Sequence, residues 1–372
     1  MHSCWKGISP HRVQTTENTI VELSGLNLDL FQSYPVEINF GKKDYMKDCE
    51  DNPGINLIDE KNVIWTYEIG SKDEGKPTLL MVHGFGACSM FFYQTWEKLS
   101  ESFHIFCIDL LGFGRSSRPR FTCKTYEEAE DFFLLSIESW REQMKLDSFN
   151  ILCHSFGGYI MGRYALRFSE HIQKVIFLSS LGVDYIPEDI DEGLNNFYKQ
   201  LSYRKRAVFK IQKHMPKFIK TMAPFSPLRV IGRASKIFLK KGMKRRTGNL
   251  PKEEFEALYG HLYQVTLKPA SAERAIHILF TRNFIPKYPL IECINSPDGF
   301  KAKGIETCFI YGGADWLDMN MNGPKVSEVL STEGHNVHVI PDADHHVFFE
   351  NSDDLVKIVV EELTPPVSVE CL

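Results

Sequence analysis

The sequence predicts an α/β protein: a mostly parallel central sheet with helices on both faces and a helical cap inserted into it. Three observations predict it. Four short runs, TLLMV, HIFCIDL, FNILC and KVIFLSS, rich in β-branched, aromatic and other apolar residues, are apolar across most of their width, and each is followed by a loop. Strands buried on both faces read this way, and such strands build parallel sheets. Helical stretches alternate with them, notably YEEAEDFFLLSIESWREQMKL and GGYIMGRYALRF. The alternation stops near Val183 and resumes near residue 300 with ETCFIYGG, NVHVIPDADHH and a closing helix, DDLVKIVVEEL. One sheet interrupted by an insertion explains that order more simply than two independent domains. The expected division is an N-terminal extension (1–60) with one weak strand in YPVEINF, a first part of the core (61–182) opening on NVIWTYEIG, a basic helical cap (183–300), and a second part of the core (301–372).

Composition narrows the function classes. A chain of 372 residues with 43% hydrophobic content supports a sizeable core. No apolar run reaches the ~18 residues that a spanning helix needs. The N-terminus lacks the apolar stretch of a secretory signal, His2 excludes simple N-myristoylation, and Cys371 is too close to the end for a prenylation box. The nine cysteines are scattered without a C-x-x-C pair, which favours reduced thiols in the cytoplasm over disulfides or a zinc site.

The net charge of −5 hides an asymmetry. From Gly193 to Lys252 there are 17 Lys or Arg and no Asp or Glu, leaving 26 basic and 48 acidic residues elsewhere. Within this island, RKRAVFKIQKHMPKFIKTM (204–222) sets Val208, Ile211, Met215, Phe218 and Met222 at three- and four-residue steps, with lysines largely between them and Pro216 dividing the helix. LRVIGRASKIFLKKGMKRR (228–246) repeats the arrangement with Val230, Ala234, Ile237 and Phe238. Basic amphipathic helices lie on anionic lipid. The expectation is therefore peripheral association with a membrane or lipid-droplet surface through residues 204–246. The competing reading packs that apolar face on the core. No nucleic-acid module is present.

The chemistry is carried by three stretches. In NILCHSFGGY, Ser155 sits between a strand and a helix, as in a G-x-S-x-G nucleophile elbow whose first glycine is replaced by Cys153. His154 precedes it, and Gly157 and Gly158 let strand and helix pass closely. Cysteine is small enough that the replacement crowds the turn without abolishing it. VHGFG, with His83, Gly84 and Gly86, follows the first strong strand and offers the Phe85 amide as one oxyanion donor, with the Phe156 amide as the other. DADHHVFFEN offers His345 or His346 as base, and YGGADWLDMN offers Asp315 or Asp318 to orient it; position alone does not separate them. A metal site from Asp342, Asp344, His345 and His346 has no other support, and serine chemistry needs no metal or organic cofactor. DLLGFGRSSRP lacks the spacing of a phosphate loop, but Arg115 and Arg118 are candidates for an anionic head group.

Taken together, MVHGFG, DLLGFGRSSRP, SIESWREQM, HSFGG, YGGADWLD and HHVF resemble the abhydrolase domain-containing 4/5 subfamily of α/β hydrolases, over roughly residues 60 to 363. The resemblance implies the α/β-hydrolase fold and lipid chemistry: lysophospholipase action in one branch, lysophosphatidic acid acyltransfer and lipase co-activation in the other. It places the base on His345 and the acid on Asp318, although related plant-type sequences carry an Asp where Asp315 stands. The co-activator branch carries Asn at the nucleophile position. Ser155 matches the hydrolytic branch, which disfavours the alternative of a non-catalytic lipid-droplet or membrane scaffold. The H-x-x-x-x-D motif proposed for acyltransfer becomes His345 to Glu350 here.

Overall fold

The computed structural model describes residues 9–39, 61–70, 74–186, 188–200, 206, 223–248, 250–281, 284–320 and 323–364. Eight strands form one sheet: β1 (Phe31–Ile38), β2 (Asn62–Ile69), β3 (Thr78–Val82), β4 (His104–Asp109), β5 (Phe149–His154), β6 (Ile172–Leu178), β7 (Glu306–Gly312) and β8 (Asn336–Ile340). Their spatial order is β1-β2-β4-β3-β5-β6-β7-β8. β1 and β2 pair antiparallel, as do β2 and β4, and every later pair is parallel. The helices used below are α1 (Pro10–Leu23), α2 (Tyr93–Ser100), α3 (Tyr126–Met144), α4 (Phe156–Arg167), α5 (Ser226–Val230), α6 (Ser235–Arg246), α7 (Lys252–Thr266) and α8 (Ser352–Leu363).

The central strands are buried at every position, so alternate residues feed two separate cores. In β5, Ile151 and Cys153 join the layer holding Phe132, Phe133 and Trp140 of α3 and Tyr159 of α4. Leu152, between them, joins the opposite layer with Trp96 of α2 and Leu355 and Val359 of α8. Local chemistry fixes the helix ends. Thr125 and Glu128 form a reciprocal capping box at the start of α3, and Lys145 ends it in the left-handed region at φ 53°.

Within the N-terminal extension, residues 9–39 are wound into this body. β1 pairs along the whole of β2, and α1 packs on α7. The described residues between β6 and β7 form helices and loops. The ion pair of Arg229 with Glu273 anchors this region through two parallel N–H···O bonds, at 2.6 and 2.5 Å, with both side chains buried. Of the basic stretch 204–222, only Arg206 is described, so its expected amphipathic helix lies outside the described residues. Among the described residues no helix is long and apolar enough to cross a membrane.

Candidate active site

Parallel strands deliver their following loops to one edge of the sheet, and four such loops meet here. β5 runs straight into α4 with Ser155 as the connecting residue, at φ 55° and ψ −119°. A non-glycine residue in that region costs of order 1–3 kcal/mol and persists only where its surroundings hold it. Two glycines show how tightly they do. A Cβ on Gly157 would stand 2.4 Å from the His83 carbonyl oxygen, and one on Gly84 would stand 2.9 Å from the Ser155 Cβ. Cys153 fits where the elbow pattern expects glycine. Its side chain lies in the α3/α4 core layer and its thiol donates to the Ile176 carbonyl at 3.4 Å.

The loop after β8 brings His345 over the serine, with Nε2 3.2 Å from the Ser155 Oγ. On the ring's other side, Nδ1 lies 3.0 Å from Asp315 Oδ1. These partners assign the tautomer: Nδ1–H donates to the carboxylate, which leaves Nε2 free to accept the serine proton. The backbone of His345 is held as well. Its N–H donates to Asp344 Oδ1 at 2.8 Å, and its carbonyl accepts from His154 Nε2 at 2.9 Å. Burial pushes the Asp315 carboxyl up, but His345, together with hydrogen bonds such as that from the Leu317 amide, brings the pKa below the ordinary aspartate value.

The expectation that Asp318 orients the base is not met. Its Oδ1 accepts the Ser327 amide at 2.8 Å and its Oδ2 lies 3.4 Å from Lys325, so it ties down the start of the helix Val326–Thr332. Burial raises its pKa. His346, the other candidate base, stacks on Phe349 instead of facing the serine.

The head-group expectation for Arg115 and Arg118 is also corrected. Arg115 stacks over Trp65 at 3.5 Å and pairs with the buried Glu17 of α1. Arg118 donates to the Gly114 and Val265 carbonyls, and burial beside Arg229 lowers its pKa to about 10. Both join the loop to neighbouring elements, and neither lines the cavity above Ser155. His83 is likewise structural: Nδ1–H donates to the Gly84 carbonyl and Nε2 accepts from the Leu110 amide at 3.1 Å. Phe85 is wedged by its ring against Phe113, Phe156 and Phe225. Phe156 is the first residue of α4, where an amide has no intrahelical acceptor.

Ser155 and His345 open into a cavity of about 500 Å³ whose lining includes Phe85, Trp316, Phe284 and Leu181. Leu181, Phe284 and Trp316 also line a smaller adjoining cavity bounded by Val183, Leu194, Ile285 and Leu317. Arg245 and Arg246, the last residues of α6, line the larger cavity too. Sequence reasoning read both only as part of a membrane-facing cluster; their unbroken position at the end of KKGMKRR was the available signal.

Comparisons with known proteins give the family and the fold. Residues 77–352 match the alpha/beta hydrolase fold family model. The chain is 33% identical over 301 residues to a 1-acylglycerol-3-phosphate O-acyltransferase of Arabidopsis thaliana, covering 78% of this chain and 67% of that protein. It is 28% identical over 309 residues to a (lyso)-N-acylphosphatidylethanolamine lipase of Mus musculus, covering 82% and 84% respectively. Among solved structures, a bacterial membrane phospholipase A superposes with a TM-score of 0.58 at 17% identity, covering 94% of this chain and 89% of that one. The chain belongs to the alpha/beta hydrolase fold family, in a lipid-modifying group whose relatives include acylglycerophosphate acyltransferases and lysophospholipase-type lipases.

Proposed function

We propose that this protein is a serine hydrolase of acyl esters in phospholipids and lysophospholipids, with Ser155, His345 and Asp315 as its triad. The observation that carries the reading is the unbroken chain of contacts from Asp315 through His345 to Ser155 at 3.0 and 3.2 Å. Ser155 Oγ attacks the acyl carbonyl while His345 Nε2 takes its proton. The Phe85 and Phe156 amides hold the oxyanion. As the tetrahedral intermediate collapses, His345 returns the proton to the departing alcohol oxygen. Water then attacks the acyl-enzyme with His345 again as base, releasing a fatty acid and free serine. The apolar cavity beyond Leu181, Phe284 and Trp316 suits the acyl chain.

Acyl transfer is a second outcome of the same intermediate, favoured by one observation. Glu350, which stands where the resemblance expects an acyltransferase carboxylate, lines the same cavity, and burial raises its pKa. A lysophospholipid hydroxyl would then replace water.

The surface beside the cavity fits work on aggregated lipid at an anionic membrane or lipid droplet. Val230, Ile237 and Phe238 are 69%, 73% and 60% exposed, among Lys236, Lys240, Lys241 and Lys244. The test is a lipid panel of wild type beside Ser155→Ala, with and without a lysophospholipid acceptor. The proposal expects fatty acid or transferred acyl product from wild type and none from the variant. Equal turnover by both would overturn it. A cellular lipid effect that survives Ser155→Ala would favour the scaffold reading.

A further inference from the structure

The cavity over Ser155 has a cationic wall that the triad chemistry leaves unused. Arg245 and Arg246 come from α6 and share this cavity with Ser155 and His345. Arg246 Nη1 donates to the Gly86 carbonyl at 2.7 Å, on the loop after β3. A guanidinium carries five N–H donors in a fixed fork, so a single acceptor leaves most of them unspent. Among the described residues neither arginine has a carboxylate partner, in contrast to Arg229 on Glu273 and Lys240 on Glu256. Burial without a compensating anion pulls the Arg246 pKa down. Arg246 is partly exposed and Arg245 exposed where they line the cavity, so the unspent donors beside the nucleophile are open to an anion from outside the chain.

Two carboxylates also line the cavity, but both are turned to backbone. Glu350 accepts the Asp344 amide, and Asp344 accepts the His345 amide.

We propose that Arg246, assisted by Arg245, binds the phosphate of a glycerophospholipid head group while Ser155 works on the acyl ester. The planar fork matches two phosphate oxygens at once, which a point charge does not. A neutral glyceride would occupy the same cavity and leave the fork unpaired. The site also reports to the chemistry, because the carbonyl that Arg246 holds is one residue from Phe85, the proposed oxyanion donor. Arg246 is thus a specificity-determining residue contributed by the cap, and this inference rests on the lipid-ester reading above.

The test uses long-chain 1-O-alkyl ethers, which the enzyme cannot cleave, in calorimetric titrations of the full chain. One ligand is alkylglycerol 3-phosphate, the second its phosphoethanolamine counterpart, and the third alkylglycerol without phosphate. A charge-assisted pair predicts wild-type binding of the phosphate-bearing ligand about tenfold to a hundredfold tighter than alkylglycerol. The two phosphate ligands distinguish a monoester from a diester source. Arg246→Gln collapses the ratio towards one, Arg246→Lys keeps part of it, and Arg245→Gln reduces it several-fold with the Gly86 anchor intact. Equal wild-type affinity for ligands with and without phosphate would overturn the proposal, as would an undiminished ratio in folded Arg246→Gln. Should that variant not fold, an undiminished ratio in both Arg246→Lys and Arg245→Gln would do so. Fluorophosphonate labelling of Ser155 is independent of the head group. Labelling without a phosphate preference removes the head-group site alone; a preference without labelling removes the hydrolase reading alone.

Discussion

The residue that decides the proposed chemistry is an aspartate chosen from two only three positions apart. Asp315 holds the His345 ring and Asp318 holds the start of a helix. Asp315→Asn would leave the ring without its carboxylate and free it to adopt the wrong tautomer. The expected loss in kcat for ester hydrolysis is roughly 10³–10⁴-fold, against less than about tenfold for Asp318→Asn, whose cost should appear in thermal stability. Both aspartates follow β7, and nothing in YGGADWLDMN says which faces inward; the turn closed by the Asp315 amide on the Gly312 carbonyl decides it. The base had a clearer signature, because a histidine after the last strand stands third in the Ser, acid, His order.

His154 yields a second prediction at this scale. Burial, followed by the nearby His345, holds its pKa well below the ordinary histidine value. The unfolded chain therefore binds a proton, below about pH 6.5, that the folded chain refuses. Stability should fall as pH drops through that window, by up to about 1.4 kcal/mol per pH unit for this group. His154→Gln keeps a donor for the His345 carbonyl and does not titrate, so its Tm between pH 7 and 5 should vary less than that of wild type.

Among the elements, α6 does two jobs on its two sides. Ser235 and Met243 are buried against the body, while Ile237 and Phe238 face outward and Arg246 reaches the cavity. The apolar set read from 228–246, Val230, Ala234, Ile237 and Phe238, is exposed throughout, while Met243 is buried. The outward pair is what an interfacial helix would insert, and the surrounding lysines would supply attraction to anionic lipid. Ile237→Glu with Phe238→Glu should cut flotation with phosphatidylserine vesicles at least about tenfold, since two buried apolar side chains are worth ~3 kcal/mol or more. Turnover of a short, monomeric ester should stay near wild type. Undiminished flotation would mean that this helix is not the docking element.

At the scale of the whole molecule, the fold was legible wherever burial is complete. β3 to β7 are saturated apolar runs, or nearly so, and each was recognised as a strand. The N-terminal segment was not, because an edge strand with one wet face and a polar helix carry weak patterns; YPVEINF alone hinted at β1. Its attachment is electrostatic as well as apolar: Glu17 is fully buried against Arg115, which also stacks on Trp65. Burial raises the Glu17 pKa more than Arg115 lowers it. Arg115→Ala strands that carboxylate and should destabilise the chain by about 3 kcal/mol in urea unfolding. An effect under about 0.5 kcal/mol would show that the pair contributes little.

The proposed catalysis depends most on whether the hydroxyl above the sheet is chemically activated by the ring beside it. The direct measurement is the rate of covalent modification by a fluorophosphonate, with the adduct mapped by peptide mass spectrometry, in wild type, His345→Ala and Asp318→Asn. Rapid modification confined to Ser155, lost in His345→Ala and retained in Asp318→Asn, is the expected result. A folded wild type that stays unmodified, or is modified equally fast without His345, would contradict it.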